Sequence, residues 1–193
     1  MPSTPHLSAH LAVLVLSLVL TAVATKWAMV ERGFPGDPVR WPKVFLRRVA
    51  DGFQAGGRET VYWTGIGLYS VAVSVLHFGG IRYDVYTTLH WWDLLTHFLS
   101  GLGVAVLLYV TFHRPADERR SPRWIVPAVL AFGAGFEVYE FVVKDFWYAW
   151  TLEFYLVDTV VDLVAGIGGA VAFVAVVAGY RALVADRRPS KAI

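Results

Sequence analysis

Apolar residues dominate five long runs of this chain, and short polar stretches separate the runs. The runs cover roughly residues 11–30, 59–80, 92–113, 124–144 and 157–180. Each run is about 20 residues long, which as an α-helix matches the hydrocarbon core of a bilayer. Because a backbone in lipid must satisfy its own hydrogen bonds, such runs are helical. The pattern therefore predicts an all-α, polytopic membrane helical bundle of about five transmembrane helices, with residues 1–193 as a single integral membrane domain.

A sixth segment of different character lies in the first polar connection. Within residues 39–53, apolar side chains such as Trp41 and Phe45 interleave with Arg47 and Arg48. This mixture is typical of a short helix that lies on the headgroups of a membrane. A plain basic loop is an equally good interpretation of the same residues.

Lysine and arginine are distributed unevenly between the connections. Fourteen of them fall in the first connection, the third connection and the C-terminal tail, two fall in the other connections, and Lys26 lies inside the first run. Basic loops of membrane proteins stay in the cytoplasm. We therefore expect the N-terminus to lie outside the cell and the C-terminus in the cytoplasm.

The composition narrows the classes of protein to which this chain can belong. Charged residues make up 17% of the chain, against about a quarter in soluble domains. A net charge of +2 without a basic stripe argues against a nucleic-acid binder. The chain has no cysteine, which excludes thiolate metal sites and cysteine nucleophiles. The expected partners are membrane lipids, and the oligomeric state stays open.

Three pairs of ionisable residues interrupt the last three runs, each at a helical spacing of three or four residues. The pairs are Asp93 with His97, Glu137 with Glu140, and Asp158 with Asp162. Residues at this spacing share one face of a helix. Since successive runs cross in opposite directions, all six residues fall within roughly two turns of the outer membrane face. Gly101, Gly133 and Gly166 continue these faces and allow close helix packing.

Five carboxylates and one imidazole in one place repel each other unless protons or a cation neutralise them. Carboxylates with a histidine suit Zn, Mn or Fe, whereas carboxylates alone suit Mg or Ca. We expect a divalent metal ion, or two, bound by ligands drawn from all six residues, with Glu140 or Asp158 available as general base. His90 shares the face of Asp93 and is a further ligand, a proton shuttle or an interfacial residue. His10 is interpreted as a solvent or interface residue.

Simpler structural interpretations exist for some of these groups. Asp93 and Asp158 stand at the predicted helix starts, where each could be an N-cap. Glu140 could form an ion pair with Lys144 one turn later. Glu137 and His97 lie too far inside their runs for capping to explain them.

Three segments carry a resemblance to known families. "HWWDLLTHFLSG", "FEVYEF" and "DTVVDLVAGIGGA" resemble the YjdF-like family of small, uncharacterised prokaryotic inner-membrane proteins, and also the wider VanZ-like group, over roughly residues 60–175. Carried over by position, the family pattern falls on Asp93, His97, Gly101, Glu137, Glu140, Asp158, Thr159 and Asp162. The chain departs from the patterns at Phe141, where the YjdF-like family has Trp, and at Asp162, where VanZ-like proteins have Asn. The resemblance implies a multi-pass protein of the cytoplasmic (inner) membrane of a prokaryote, and it adds Thr159 as a residue that supports the ligands.

Three functions are compatible with an outward-facing acidic site between the last three helices. The first is a metal-dependent enzyme that acts on a lipid or lipid-linked substrate, which requires an open coordination position beside an apolar groove. The second is a cation- or proton-coupled transporter, which usually has its site near the midplane between broken helices. The third is a structural or accessory subunit in which a metal or a polar network staples helices together, which requires a closed site.

Overall fold

The computed structural model describes residues 5–113, 121–143 and 150–186, with side chains from residue 10 to residue 184 within those ranges. The described ranges form α1 (Pro5–Val30), α2 (Trp41–Ala55), α3 (Gly57–Arg82), α4 (Val85–Thr88), α5 (Trp91–Phe112), α6 (Ile125–Val143) and α7 (Leu152–Asp186). They contain no β-strand. Short 3-10 turns at Pro38–Arg40 and Pro122–Trp124 lead into α2 and α6.

Five of these helices are long and apolar enough to cross a membrane, namely α1, α3, α5, α6 and α7. The prediction of an all-α bundle with about five spans is therefore confirmed. The helix bounds agree with the apolar runs to within two residues for α3, α5 and α6. Helix α1 begins at Pro5 rather than at residue 11, and α7 extends from Leu152 to Asp186 rather than from 157 to 180. The single domain and the membrane orientation stay predictions.

Some residues used in the sequence argument lie outside the described ranges. They are Arg114, Arg119, Arg120, Lys144, Arg187, Arg188 and Lys191. The alternative pairing of Glu140 with Lys144 falls among them.

The basic segment at residues 39–53 is helical rather than a plain loop. It forms most of α2, which ends where Gly56 adopts a φ of 72°. Glycine reaches such angles without a steric penalty, so the chain can turn there directly into α3. The apolar side of α2 packs inward: Phe45 lies 5.9 Å from the Trp63 ring of α3, and Trp41 lies 5.6 Å from the Trp124 ring.

Helices α5 and α7 make the most extensive helix–helix contact in the described chain. Gly101 sits directly against the backbone of Gly166, and Gly169 sits against the backbone at Phe98. A Cβ atom at Gly101 or Gly169 would overlap the neighbouring backbone. Without a hydrophobic driving force between helices in lipid, such small residues let the backbones approach and gain dispersion contacts.

The remaining contacts set the direction of the helices. The Tyr69 hydroxyl of α3 donates to the Leu99 carbonyl of α5 at 2.7 Å, and the Trp92 indole N–H donates back to the Leu76 carbonyl at 3.3 Å. Helix α3 is thus antiparallel to α5. Helix α7 is parallel to α5, because Arg181 near its C-terminal end lies 3.4 Å from the Tyr109 hydroxyl. The starts of α5 and α7 therefore meet at one end of the bundle, and α2 lies at the other.

His10 is fully buried, so its interpretation as a solvent or interface residue is wrong. Its Nε2 lies 3.2 Å from the Trp150 carbonyl, and its ring stacks on Tyr155 at 5.8 Å. The start of α1 is tied in this way to the start of α7. The contact joins residues about 140 positions apart, which the local pattern around His10 does not encode.

Candidate functional site

Asp93, His97 and Asp162 come together where α5 and α7 begin to pack. The His97 Nε2 atom lies 3.4 Å from Asp93 Oδ1, one turn earlier on α5, and 3.4 Å from Asp162 Oδ2 on α7. One ligand atom from each residue lies within 4.8 Å of the others. Three of the six predicted ligands thus form a single cluster, which we call the Asp–His–Asp cluster.

The glycine contact between α5 and α7 sets the spacing within this cluster. Gly101 lies one turn after His97, and Gly166 lies one turn after Asp162. Because the two glycines touch, the side chains one turn earlier face each other across a short gap. The cluster is therefore positioned by rigid backbone contact rather than by flexible loops.

Asp162 is the most enclosed member of the cluster. It is 4% exposed, and its Oδ1 atom has no hydrogen-bond donor among the described residues. A buried carboxylate oxygen without a partner is costly, because the group has lost its water and received nothing in return. Such an atom indicates a position where a cation or a proton belongs.

Two further carboxylates come from α6. Glu137 and Glu140 are 2% and 7% exposed. The Thr159 hydroxyl of α7 donates to Glu137 Oε2 at 2.9 Å, and its role in supporting the ligands stays a prediction. Glu140 and Asp158 are close enough to Glu137 and Asp162 for their charges to interact. Neither belongs to the Asp–His–Asp cluster, and their roles as ligands or general base stay predictions.

Helix capping does not account for the aspartates. His90 occupies the N-cap position of α5, which places Asp93 inside the first turn. Asp158 lies beyond the first turn of α7, whose start is capped instead by the Thr151 hydroxyl, 3.2 Å from the Phe154 N–H. The N-cap interpretation is therefore wrong for Asp93 and Asp158. His90 itself is exposed, with no capping hydrogen bond from its side chain.

A cavity of about 460 Å³ opens beside the cluster, between α3, α5, α6 and α7. His97, Glu137 and Asp162 lie in its wall. Most of the other wall is apolar, including Val73, Phe78, Leu130, Phe132, Phe136 and Ile167. We call this space the site cavity. It combines ionisable groups with an apolar surface large enough for part of a lipid.

A hydrogen-bond chain from the short helix α4 reaches the same wall. The Tyr86 hydroxyl lies 2.8 Å from His77 Nδ1 and 3.3 Å from the Thr96 hydroxyl, which donates to the Asp93 carbonyl at 2.9 Å. Burial raises the pKa of Tyr86 above its ordinary value of 10.0, so the phenol stays protonated. The sequence does not single out Tyr86, because α4 is a four-residue helix that follows the left-handed turn at Asp84.

The family comparison agrees with the resemblance seen in the three segments. The family model described as "Predicted membrane protein (DUF2238)" matches residues 60–183, which is more than half of the chain. This is the YjdF-like family, so that resemblance is confirmed, while the relation to the VanZ-like group stays a prediction. No curated protein and no solved structure shows a significant match. With its matched region covering α5, α6 and α7 and all six ionisable residues, the chain belongs to the DUF2238 family of membrane proteins.

Proposed function

We propose that this protein is a divalent-metal-dependent membrane enzyme that cleaves an ester or phosphoester bond of a lipid or lipid-linked substrate. One observation carries the proposal. The Asp–His–Asp cluster lies beside the apolar site cavity, with His97 and Asp162 in the wall of that cavity. A metal-bound reacting group and an attached hydrocarbon chain can therefore be accommodated next to each other.

The spacing of the cluster suits a single ion. Two ligand atoms bound at about 2.1 Å lie about 3.4 Å apart at the tetrahedral angle. His97 Nε2 lies 3.4 Å from both Asp93 Oδ1 and Asp162 Oδ2. One imidazole with two carboxylates favours Zn, Mn or Fe over Mg or Ca. A divalent cation would also neutralise both carboxylates of the cluster.

The remaining groups would divide the chemistry among them. A divalent ion held by Asp93, His97 and Asp162 would act as a Lewis acid toward a substrate oxygen or a water molecule. Glu137 lines the site cavity and is oriented by Thr159, so we assign it the role of proton acceptor. Glu140 and Asp158 are not among the residues that line the cavity, and we assign them to the electrostatic balance of the site. The apolar wall holds the hydrocarbon chain and excludes water.

The structure favours this function over transport. Binding sites of secondary transporters are usually built from interrupted helices near the midplane. Helices α5, α6 and α7 each run as one uninterrupted α-helix, and the cluster lies in the first turns of α5. A purely structural metal fits less well, because the glycine contacts already join α5 to α7 and because the cluster adjoins a cavity.

The first test is the metal content of the detergent-purified protein, measured by elemental mass spectrometry. After incubation with Zn, Mn, Fe, Mg and Ca and removal of excess metal, we expect about one ion per wild-type chain and a large loss in Asp162→Asn. Glu153→Gln is the matched control, since it removes an exposed carboxylate from the same helix. We expect Glu153→Gln to retain the ion. A wild-type protein free of metal after this treatment contradicts the proposal.

The second test separates the three functions. The metal-loaded protein is mixed with a membrane lipid extract, and lipid products are followed by mass spectrometry. Loss of a lipid species that depends on Asp162 and Glu137 supports the enzyme. Metal that changes only the melting temperature identifies a structural role, and metal that accumulates inside proteoliposomes identifies a transporter.

A further inference from the structure

A second cavity, of about 670 Å³, lies toward the opposite end of the bundle, between α1, α2, α5 and α6. We call it the α2 cavity, because Trp41, Pro42 and Phe45 of that helix form one wall. Its volume falls in the range of roughly 300–1,000 Å³ that is usual for small-molecule sites. Nearly all of its wall is apolar. No residue of the Asp–His–Asp cluster lines this cavity, and neither do Glu137, Glu140 and Asp158.

Two polar groups of this cavity have no partner. Thr111 is 2% exposed, and neither its hydroxyl nor the Trp41 indole N–H forms a hydrogen bond with any described residue. Each buried group of this kind carries a desolvation cost until a partner is supplied. Both can donate a hydrogen bond, so the missing partner is an acceptor.

The other hydroxyls of the cavity provide a contrast. Thr21 donates to the Ser17 carbonyl at 2.7 Å, and Thr25 donates to the Thr21 carbonyl at 2.7 Å. These hydroxyls are satisfied within α1 and require no ligand. The unpartnered donors are confined to the end of the cavity near the last turn of α5 and the first turn of α2.

Helix α2 also contributes positive charge near this cavity. Lys43 is exposed and Arg48 is partly exposed, and neither forms an ion pair with a described carboxylate. Arg40 and Arg47 lie 3.6 Å and 3.8 Å from Asp37 and Asp51, respectively. Arg48 follows Phe45 by three residues and Trp41 by seven, so it shares their side of α2, whereas Lys43 lies on the other side. Arg48 therefore supplies a cation on the side of α2 that lines the cavity.

We propose that the α2 cavity binds one anionic glycerophospholipid. A glycerophospholipid presents the same three chemical groups in the same order: an anionic phosphate, ester carbonyls that accept hydrogen bonds, and an acyl chain. The phosphate would lie against Arg48, an ester carbonyl would accept from Trp41 and Thr111, and the acyl chain would fill the apolar space. This binding is independent of the Asp–His–Asp cluster.

The test uses native mass spectrometry of the full-length protein in detergent, titrated with phosphatidylglycerol or with phosphatidylcholine of the same chains. We expect one phosphatidylglycerol per chain, bound about tenfold more tightly than phosphatidylcholine. Thr111→Val combined with Trp41→Phe should weaken binding of both lipids about tenfold, because the acceptor loses both donors. Arg48→Gln should remove the preference for phosphatidylglycerol, whereas Lys43→Gln, on the other side of α2, should keep it.

Thr25→Val is the matched control, since it removes a hydroxyl from the same cavity that is already bonded within α1. It should bind phosphatidylglycerol as the wild type does, and so should Asp162→Asn. Thermal unfolding of each variant separates lost folding from lost binding. Equal weakening by Thr25→Val and by Thr111→Val with Trp41→Phe overturns the proposal. Equal affinity for the two lipids, or tight binding of a different amphiphile that excludes phosphatidylglycerol, also overturns it.

Discussion

At the scale of single residues, the site depends on how each buried carboxylate is satisfied. Glu137 receives a hydrogen bond from Thr159, whereas Asp162 Oδ1 receives none from the described chain. The Glu137 carboxylate is thus held in one orientation by the protein, and the Oδ1 atom of Asp162 is left for an external group. This difference separates the proposed proton acceptor from the proposed ligand.

Thr159→Val tests the bond to Glu137. The valine keeps the volume but removes the donor, so Glu137 remains buried with one partner fewer. We expect a loss of about 1–3 kcal/mol in the free energy of unfolding, measured by SDS titration followed by circular dichroism. Thr159→Ser, which keeps the hydroxyl, should behave nearly as the wild type. If Thr159→Val has the same free energy of unfolding as Thr159→Ser, the hydrogen bond between Thr159 and Glu137 does not stabilise the fold.

At the scale of helices, the contact between α5 and α7 organises the cluster. The backbones touch at Gly101 with Gly166 and at Gly169 with Phe98. A side chain at Gly101 or Gly169 forces the helices apart, because rigid backbone cannot yield as a flexible side chain does. Separation of the helices would also move Asp162 away from His97, since each lies one turn from a contacting glycine.

Gly101→Ala tests this contact. The added methyl overlaps the Gly166 carbonyl, and we expect a loss of about 1–3 kcal/mol or more in the free energy of unfolding. The metal content should fall in parallel. Gly179→Ala is the control on α7, because a Cβ there meets no atom within 4 Å. Its stability should stay unchanged or rise slightly, since alanine favours helix. Equal melting temperatures for the two variants would contradict the packing argument.

At the scale of the whole molecule, the two cavities lie toward opposite ends of the bundle. The cluster lies where α5 and α7 begin, and α2 with its basic residues lies at the other end. If the basic end is cytoplasmic, as the charge distribution predicts, the cluster faces the outer leaflet. The proposed metal site and the proposed phospholipid site would then serve different leaflets.

The orientation can be measured with single cysteines, because the chain has none of its own. Tyr83→Cys places a thiol at an exposed position between α3 and α4, and Lys43→Cys places one on the polar side of α2. We expect a membrane-impermeant maleimide to label Tyr83→Cys in intact cells and Lys43→Cys only after permeabilisation. The reverse pattern would place the cluster on the cytoplasmic side.

Much of the fold could be predicted from local sequence patterns. Particular residues show which features such patterns do not predict. The five apolar runs predicted five of the helices, because hydrophobic length acts within a few turns of chain. The segment around Trp41 left a surface helix and a plain loop equally open, and only the structure decided for the helix. The burial of His10 and the role of Tyr86 could not be predicted, since each depends on a distant partner. The early start of α7 was missed because "LEFYL" carries a charge and lies outside the most apolar window.

The amino-acid sequence by itself determined the number of spans, their approximate bounds and the set of ionisable residues near one end of them. These features follow from the free-energy cost of exposing polar backbone groups and charged side chains to lipid. Each segment incurs this cost independently of the other segments. Only the tertiary structure decided which of the six residues meet, because the rotation of each helix depends on side chains of its neighbours. The contact of Gly101 with Gly166 brings Asp93, His97 and Asp162 together, and Glu137, Glu140 and Asp158 stay outside the cluster. The two cavities exist only between packed helices, and no single segment contains the information for either one.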